Sequence, residues 1–473
     1  MNEKDICEKK YVEELVERSR KAQAIAWDYS QERVDELAAA IMYSLSRPGF
    51  AKKIAKLSFE ETNLGDYDSK VSRFTGKLPQ IWQDIKDVKT VGEVKRIDEK
   101  GIVKIAKPVG VIAALIPSTT ADATPVFKGV LGLRGRNSVI FAPHPGAKKT
   151  TNFAVAAMRE VLKLNGAPED LFICIEQPSK QIAKELMAAC DITFATGSHD
   201  MVVAAYSSGK PAYGVGVGNA VVVVDETADL PVTASMIRAS KVTDNATGCS
   251  AENSLVVQDS IYEAFIQELK KQGGYFVNEQ QKAKLQAVMW QDGHLSRQIV
   301  AKPVEHIAKL AEINIPVGTK FIVVEETGYG KEYPFSGEKL SLVLTVYRYN
   351  KFQQAIDIVN GIHSYSGAGH SCGIHSVDDG HIRDLALGTK TTKVLVRQPH
   401  RAGNSGNWFN GLASTFSLGC GTWGGNIVSE NITQKHFLNT TWVSTSIAPI
   451  GVVPYTEEEI FGDIVHRVKL LQE

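Results

Sequence analysis

The chain has 473 residues, 43% hydrophobic and 22% charged, the balance of an ordinary globular protein of two or three domains. Lysine plus arginine and aspartate plus glutamate number 53 each, so no overall field draws the chain to nucleic acid or an acidic membrane. No apolar run approaches the ~18 residues a membrane span needs, and Met1 opens a charged segment with no signal-peptide core.

Residues 8–95 read as helical. Tyr11, Val12, Leu15 and Val16 form one apolar stripe. Val34, Leu37, Ala38, Ile41 and Leu45 form a second, which stops at Pro48 and Gly49. From residue 101 the pattern changes. Residues 110–117 are an almost unbroken apolar run, as a strand buried on both faces requires. An amphipathic stretch (125–133), a strand (138–142) and a helix (148–164, stopped by Asn165 and Gly166) follow. Further strands are expected at 171–175, 192–195 and 220–225, with helical segments between them. This alternation predicts an α/β fold with a doubly wound parallel sheet, binding a nucleotide at the carboxyl ends of its strands. Past residue 250 it restarts, with strands at 255–257, 320–324 and 342–347 and a helix at 261–271. That is a second α/β lobe. The stretches 363–375 and 403–426 are dense in Gly, Ser, Asn and His and read as loops lining a cleft.

Cys249 falls where the two lobes join, at the end of a polar, Gly-containing turn and just before an apolar run. A thiolate presented from such a turn is a strong nucleophile, although a cysteine that only fills a gap fits the same position. The six cysteines, at 7, 174, 190, 249, 372 and 420, form no CxxC pair. That argues against a metal site and against a disulfide framework, and it predicts a cytoplasmic protein. Thr196, Gly197 and Ser198 follow a strand and open a helix, so their amides can meet a pyrophosphate. The glycine-rich run 214–219 precedes a strand instead. On its own it signals a dinucleotide weakly, and glycines that permit tight packing explain it equally well.

The segment Thr243-Asp-Asn-Ala-Thr-Gly-Cys249-Ser-Ala-Glu252 resembles the nucleophile segment of the aldehyde dehydrogenase superfamily, in particular its CoA-acylating branch. Residues 204–211, 214–219 with 225–229, 334–341, 419–426 and 429–431 resemble further segments of that branch, in the same order. The resemblance spans nearly the whole chain. It implies two doubly wound parallel-sheet lobes plus a small oligomerisation arm. A helical and nucleotide-binding part would cover residues 1–242, with an arm strand near 97–108. A catalytic part would cover 243–430, and a C-terminal oligomerisation segment 431–473. It also implies a homodimer or homotetramer, assembled through strands near 101–107 and 437–443.

The chemistry implied by the resemblance starts with attack of Cys249 on an aldehyde. Hydride passes to a nicotinamide ring and leaves an acyl-enzyme thioester. Glu338 matches the acid that holds the nicotinamide ribose, the alternative being a surface carboxylate paired with Lys339. Ser118, His144, Thr196, Gly197, Ser198, Gly216 and Gly218 match the cofactor-binding positions. Hydrolytic relatives carry a general-base glutamate in the turn that here is residues 214–218, which has no carboxylate. Acyl transfer to coenzyme A is thereby favoured over hydrolysis. Thr120 stands where the family usually has an oxyanion-binding asparagine.

The turn at 142–149 has no acid and three candidate cations, His144, Lys148 and Lys149, which suits NADP, or NADP and NAD alike. His370 is placed either to accept the CoA thiol proton or to hydrogen-bond its own loop. Within the branch, residues 245–255, 325–335 and 429–441 resemble members acting on sulfoacetaldehyde. Asn245, Thr247 and Arg401 are the candidate substrate contacts, with Arg401 or a neighbour holding the sulfonate. The expected partners are therefore a small aldehyde and CoA, with no nucleic acid, membrane or metal.

Overall fold

The structure is a computed structural model and describes residues 3–197 and 199–467. Its centre is a five-stranded parallel sheet of β3 (Val111–Ile116), β4 (Ser138–Pro143), β5 (Phe172–Cys174), β6 (Ile192–Thr196) and β7 (Ala212–Val215). All six residues of β3 are buried. Period-two alternation divides them between two helical layers. Ile112, Ala114 and Ile116 pack with Leu37, Ile41 and Val126, whereas Val111, Ala113 and Leu115 pack with Val12, Leu15 and Val16. The two N-terminal stripes thus cover opposite faces of one sheet, each buried Leu or Ile contributing about 1.5–3 kcal/mol.

A second, seven-stranded parallel sheet contains β8 (Ala220–Val224), β9 (Glu252–Gln258) and β10 (Gly274–Phe276). After the small hairpin of β11 (Trp290–Gln291) and β12 (His294–Leu295), four more strands join it. These are β13 (Phe321–Glu325), β14 (Val343–Tyr349), β15 (Cys372–His375) and β16 (Val394–Val396), giving the order β10-β13-β14-β9-β8-β15-β16. A three-stranded antiparallel arm unites β1 (Gly92–Ile97), β2 (Ile102–Pro108) and β17 (Leu438–Ser444). The two strands expected to mediate oligomerisation are therefore paired with each other. Among the described residues, the outer edge of β17 carries no strand.

Three local expectations are corrected. β1 lies inside the stretch read as helical, because its residues GEVKRI are mostly exposed and carry no apolar alternation. Residues 363–375 are not one loop: His363 ends within a helix (Phe352–Tyr365), and β15 occupies Cys372–His375. Gly214 and Val215 close β7, so the glycine-rich turn is only residues 216–219. Strand β8 hydrogen-bonds between β9 and β15.

Sheet order fixes the cleft. In the order β5-β4-β3-β6-β7 the chain runs outward from β3 to β5, then returns to β6, so direction reverses between β3 and β6. That switch point is where open α/β sheets bind dinucleotides. Residues 216–219 then lead from the carboxyl end of β7 directly to the amino end of β8, and Cys249 lies three residues before neighbouring β9. The switch point and the thiol are brought to one crevice between the sheets.

Candidate active site

The turn before the thiol is strained. Asp244, Asn245 and Ala246 have φ of 55°, 48° and 56°, three successive non-glycine residues in the left-handed region. Such conformations cost about 1–3 kcal/mol each and persist only where the surroundings enforce them. Here the enforcement comes from residues 65–73. The Asp66 amide donates to Asp244 Oδ1 (2.9 Å), the Asp244 amide to Ser69 Oγ (3.1 Å) and Asn245 Nδ2 to the Gly65 carbonyl (2.9 Å). Gly65 has φ 72°, and a Cβ there would lie 2.7 Å from Asp244 Cγ, so only glycine fits. Thr247 Oγ1 donates to the Asp244 carbonyl. Asn245 and Thr247, read from the sequence as substrate contacts, thus direct their side-chain donors to the bracing segment at Gly65 and into the turn itself, respectively.

Cys249 is half-buried, with Sγ 3.3 Å from His370 Nε2 and 4.0 Å from Ser250 Oγ. His370 Nδ1 lies 2.8 Å from Ser371 Oγ, and Asn404 Nδ2 donates to the hydroxyls of both Ser371 and Ser250 (2.9 Å each). Burial, then the Glu338 carboxyl and the Cys420 thiol, push the Cys249 thiol up to about 12, against smaller opposing effects of Ser250 and Lys393. Burial likewise holds His370 well below its usual value. Both shifts favour a neutral thiol and a neutral imidazole in the resting pair. A neutral S–H donates to Nε2, which leaves Nδ1–H to donate to Ser371. Cys249 alkylation by iodoacetamide is therefore expected to accelerate about tenfold per pH unit from pH 7 to 10 with no plateau. A plateau near neutrality, read in the same rate profile, would instead mark a thiolate–imidazolium pair.

Gly218 packs on the thiol-bearing residue: a Cβ there would lie 2.6 Å from Cys249 Cβ. Its amide donates to Glu338 Oε1 (3.1 Å), and burial raises the Glu338 carboxyl to about 8. Glu338 therefore borders the cleft beside the nucleophile. Lys339 instead donates to the carbonyls of Phe335 and Gly337, so the surface pairing of Glu338 with Lys339 is absent. Gly216 is half-exposed, with only the Gly424 carbonyl and Asn426 Nδ2 within 4 Å of where its Cβ would sit.

At the switch point, Ser118 and Thr120 lie in a 3-10 turn after β3, and Thr196 ends β6 with Gly197 just after it. Thr120 Oγ1 accepts a hydrogen bond from Thr124 Oγ1 (2.7 Å), which leaves the Thr120 proton available. Thr196 Oγ1 lies 3.3 Å from Ser417 Oγ. Ser198 lies outside the described residues. His144 is exposed after β4, its Nδ1 accepting from the Gly146 amide (3.1 Å). The sequence of that turn holds no acid, yet the fold brings one: the Glu61 carboxylate accepts from the amides of Lys149 (2.8 Å) and Thr150 (2.7 Å). No local signal could have found it, since 88 residues separate Glu61 from Lys149.

Arg401 sits in a short helix (His400–Asn404) against the nucleophile turn, Nε 3.0 Å from where a Gly248 Cβ would lie. Its Nη2 is 3.9 Å from Asp244 Oδ2, and its buried Nε has no hydrogen-bond partner. A buried guanidinium N–H left unpaired against the nucleophile turn is a ready donor to an anion. Ser250, Ser371 and Asn404, which steady the Cys249–His370 pair, were missed in the sequence because each is an ordinary polar residue in a loop or turn.

An α/β protein with a dinucleotide crevice and a thiol at its edge defines the class, and comparison with known proteins places it. The model of the aldehyde dehydrogenase family matches residues 5–287. The chain is 43% identical to the sulfoacetaldehyde dehydrogenase (acylating) of Bilophila wadsworthia, over 96% of this chain and 98% of that one. An acetylating aldehyde dehydrogenase from Geobacillus thermoglucosidasius superposes with a TM-score of 0.91 at 36% identity, covering 96% of this chain and all of that one. A propionaldehyde dehydrogenase of Rhodopseudomonas palustris, solved with bound CoA and an acylated cysteine, superposes with a TM-score of 0.81 at 26% identity, covering 92% and 97%. The chain belongs to the aldehyde dehydrogenase family, in its acylating branch. It is an oxidoreductase acting on an aldehyde. Among the described residues no helix is long and apolar enough to cross a membrane.

Proposed function

We propose that the protein oxidises a short, anionic aldehyde, sulfoacetaldehyde first among them, to its CoA thioester with NAD or NADP. The observation that carries this reading is the Cys249 thiol 3.3 Å from the His370 imidazole, beside a turn, 216–219, that bears no carboxylate. Cys249 sulfur attacks the carbonyl carbon as its proton moves to His370 Nε2. The Cys249 amide and the Thr120 hydroxyl donate to the oxyanion, each such donor supplying about 3 kcal/mol. A nicotinamide dinucleotide, when bound, supplies the hydride acceptor.

Residues of the crevice fit that coenzyme. Ser118, Thr196 and Gly197 offer amides and hydroxyls at the switch point for its phosphates. Gly216 leaves room there, and Glu338 offers an acceptor for a ribose hydroxyl. Cys249 then carries the acyl group as a thioester. No side chain of the 216–219 turn can activate water, so the acyl group awaits a thiol. Once His370 has released that first proton to solvent, its Nε2 accepts the CoA thiol proton, the CoA sulfur attacks the thioester, and Cys249 departs and takes the proton back from His370. The unpaired edge of β17 supports assembly as a homodimer or homotetramer.

Arg401 supports an anionic substrate, because its unpaired Nε adjoins the nucleophile turn, and the Bilophila relative is named for a sulfonated aldehyde. The test is turnover of sulfoacetaldehyde, acetaldehyde and propionaldehyde with NAD or NADP, with and without CoA. Sulfoacetaldehyde is expected to lead in kcat/KM, with sustained turnover only when CoA is present. Arg401→Gln is expected to lower kcat/KM for sulfoacetaldehyde by about 10²-fold and for acetaldehyde by under threefold. Preference of the native protein for uncharged aldehydes would sink the sulfonate reading and leave a short-chain acylating dehydrogenase. Full turnover without CoA would point instead to release of the free acid.

A further inference from the structure

We infer that Arg73 is a positioning residue that sets the nucleophile turn and the oxyanion turn against each other. Among the described residues it is the one side chain bonded to both. Arg73 Nη1 donates to Asp122 Oδ1 (2.8 Å) and Oδ2 (3.1 Å), and Nη2 pairs with Asp244 Oδ2. Asp122 lies two residues after Thr120, and its Oδ1 also accepts from the Ala123 amide (2.8 Å) at the start of the helix Ala123–Arg134. Asp244 opens the left-handed run that leads to Cys249. Both carboxylates are fully buried and Arg73 is 6% exposed, so solvent screens none of these pairs.

The guanidinium is needed for its shape as well as its charge. Its planar fork spans two carboxylates on different elements, which a single ammonium cannot do with the same geometry. Lys70, three residues earlier and fully buried, has no hydrogen-bond partner, and its Nζ makes no bond to either carboxylate. Arg73 also begins a π-helical turn (Arg73–Lys77) between the helices Tyr67–Ser72 and Leu78–Ile85. Single π turns inside α-helices recur at functional sites, and this one marks where the helix yields to the aim of Arg73. Burial alone would raise the Asp122 carboxyl, but Arg73 and Lys70 outweigh it and hold the group below the usual range.

The inference rests on Cys249 being the nucleophile, a reading that Cys249→Ala tests by itself. Its own test separates two reactions of one thiol. Aldehyde oxidation needs Cys249 and Thr120 in register, and a displacement near 1 Å costs about 10²-fold. Iodoacetamide alkylation needs only the thiol. In Arg73→Lys, kcat is expected to fall 30- to 100-fold while the alkylation rate stays within threefold. Arg73→Ala would strand two buried carboxylates and is avoided. Asp122→Asn, which keeps the shape of the contact, serves if Arg73→Lys does not fold, with a loss of about tenfold expected. A kcat within fivefold of the native value in the folded variant overturns the inference. So does a parallel fall in alkylation, because that would show general damage to the turn.

Discussion

Cys249→Ala is expected to lower kcat by 10⁴-fold or more, leaving coenzyme binding within twofold and the melting temperature nearly unchanged. In the proposed sequence the sulfur holds the acyl group, and removing a covalent nucleophile leaves only binding and oxyanion stabilisation behind. Stability should change little because the substitution removes a single side-chain atom from a half-buried residue. The decisive readout is mass spectrometry after incubation with aldehyde and coenzyme in the absence of CoA. The native chain should gain one acyl group on the peptide that contains residue 249, and the alanine variant none. An acyl group found on another residue, or turnover within tenfold of native, would remove the thiol from the mechanism.

His370→Ala is expected to cost about 10²- to 10⁴-fold in CoA-supported turnover, the range of a lost general acid–base group. The imidazole acts twice in the proposed sequence, on the Cys249 thiol and on the thiol of CoA, so the two losses should separate kinetically. With the Cys249 thiol held at about 12, its deprotonation without His370 should follow hydroxide concentration, and raising pH should recover part of the first step. The second step should then limit turnover, and the acylated enzyme should accumulate even when CoA is saturating. Accumulation is followed by quenching at intervals and weighing the intact chain. No accumulation, with unchanged turnover, would reduce His370 to a residue that only braces its loop through Ser371.

How much of this was legible in the sequence follows from how local each signal is. The stripes at 11–16 and 34–45, and the apolar run of β3, are local patterns, and they gave the layers and the sheet. β1 was hidden because an exposed arm strand has no apolar face to betray it. Cys249 was legible from its turn and from the segments around it, and His370 from its glycine-rich loop. Their 3.3 Å contact was not, since it depends on β15 lying beside β8. The neutral state of the thiol was equally out of reach, because burial is a property of the assembled cleft. Arg73, Glu61 and Asn404 act across 33 to 171 residues of chain, and nothing near them in sequence distinguishes them from surface residues.

The turn at 216–219 has a thermodynamic side. With no group there to activate water, the free energy released when the aldehyde is oxidised stays in a thioester, first on the protein and then on CoA. Every step then has a reverse of comparable ease, and the ratio of oxidised to reduced coenzyme, set against that of CoA to acyl-CoA, decides the direction of net flux. Four residues without a carboxylate would thus make the protein an exchanger of chemical potential in place of a one-way oxidase.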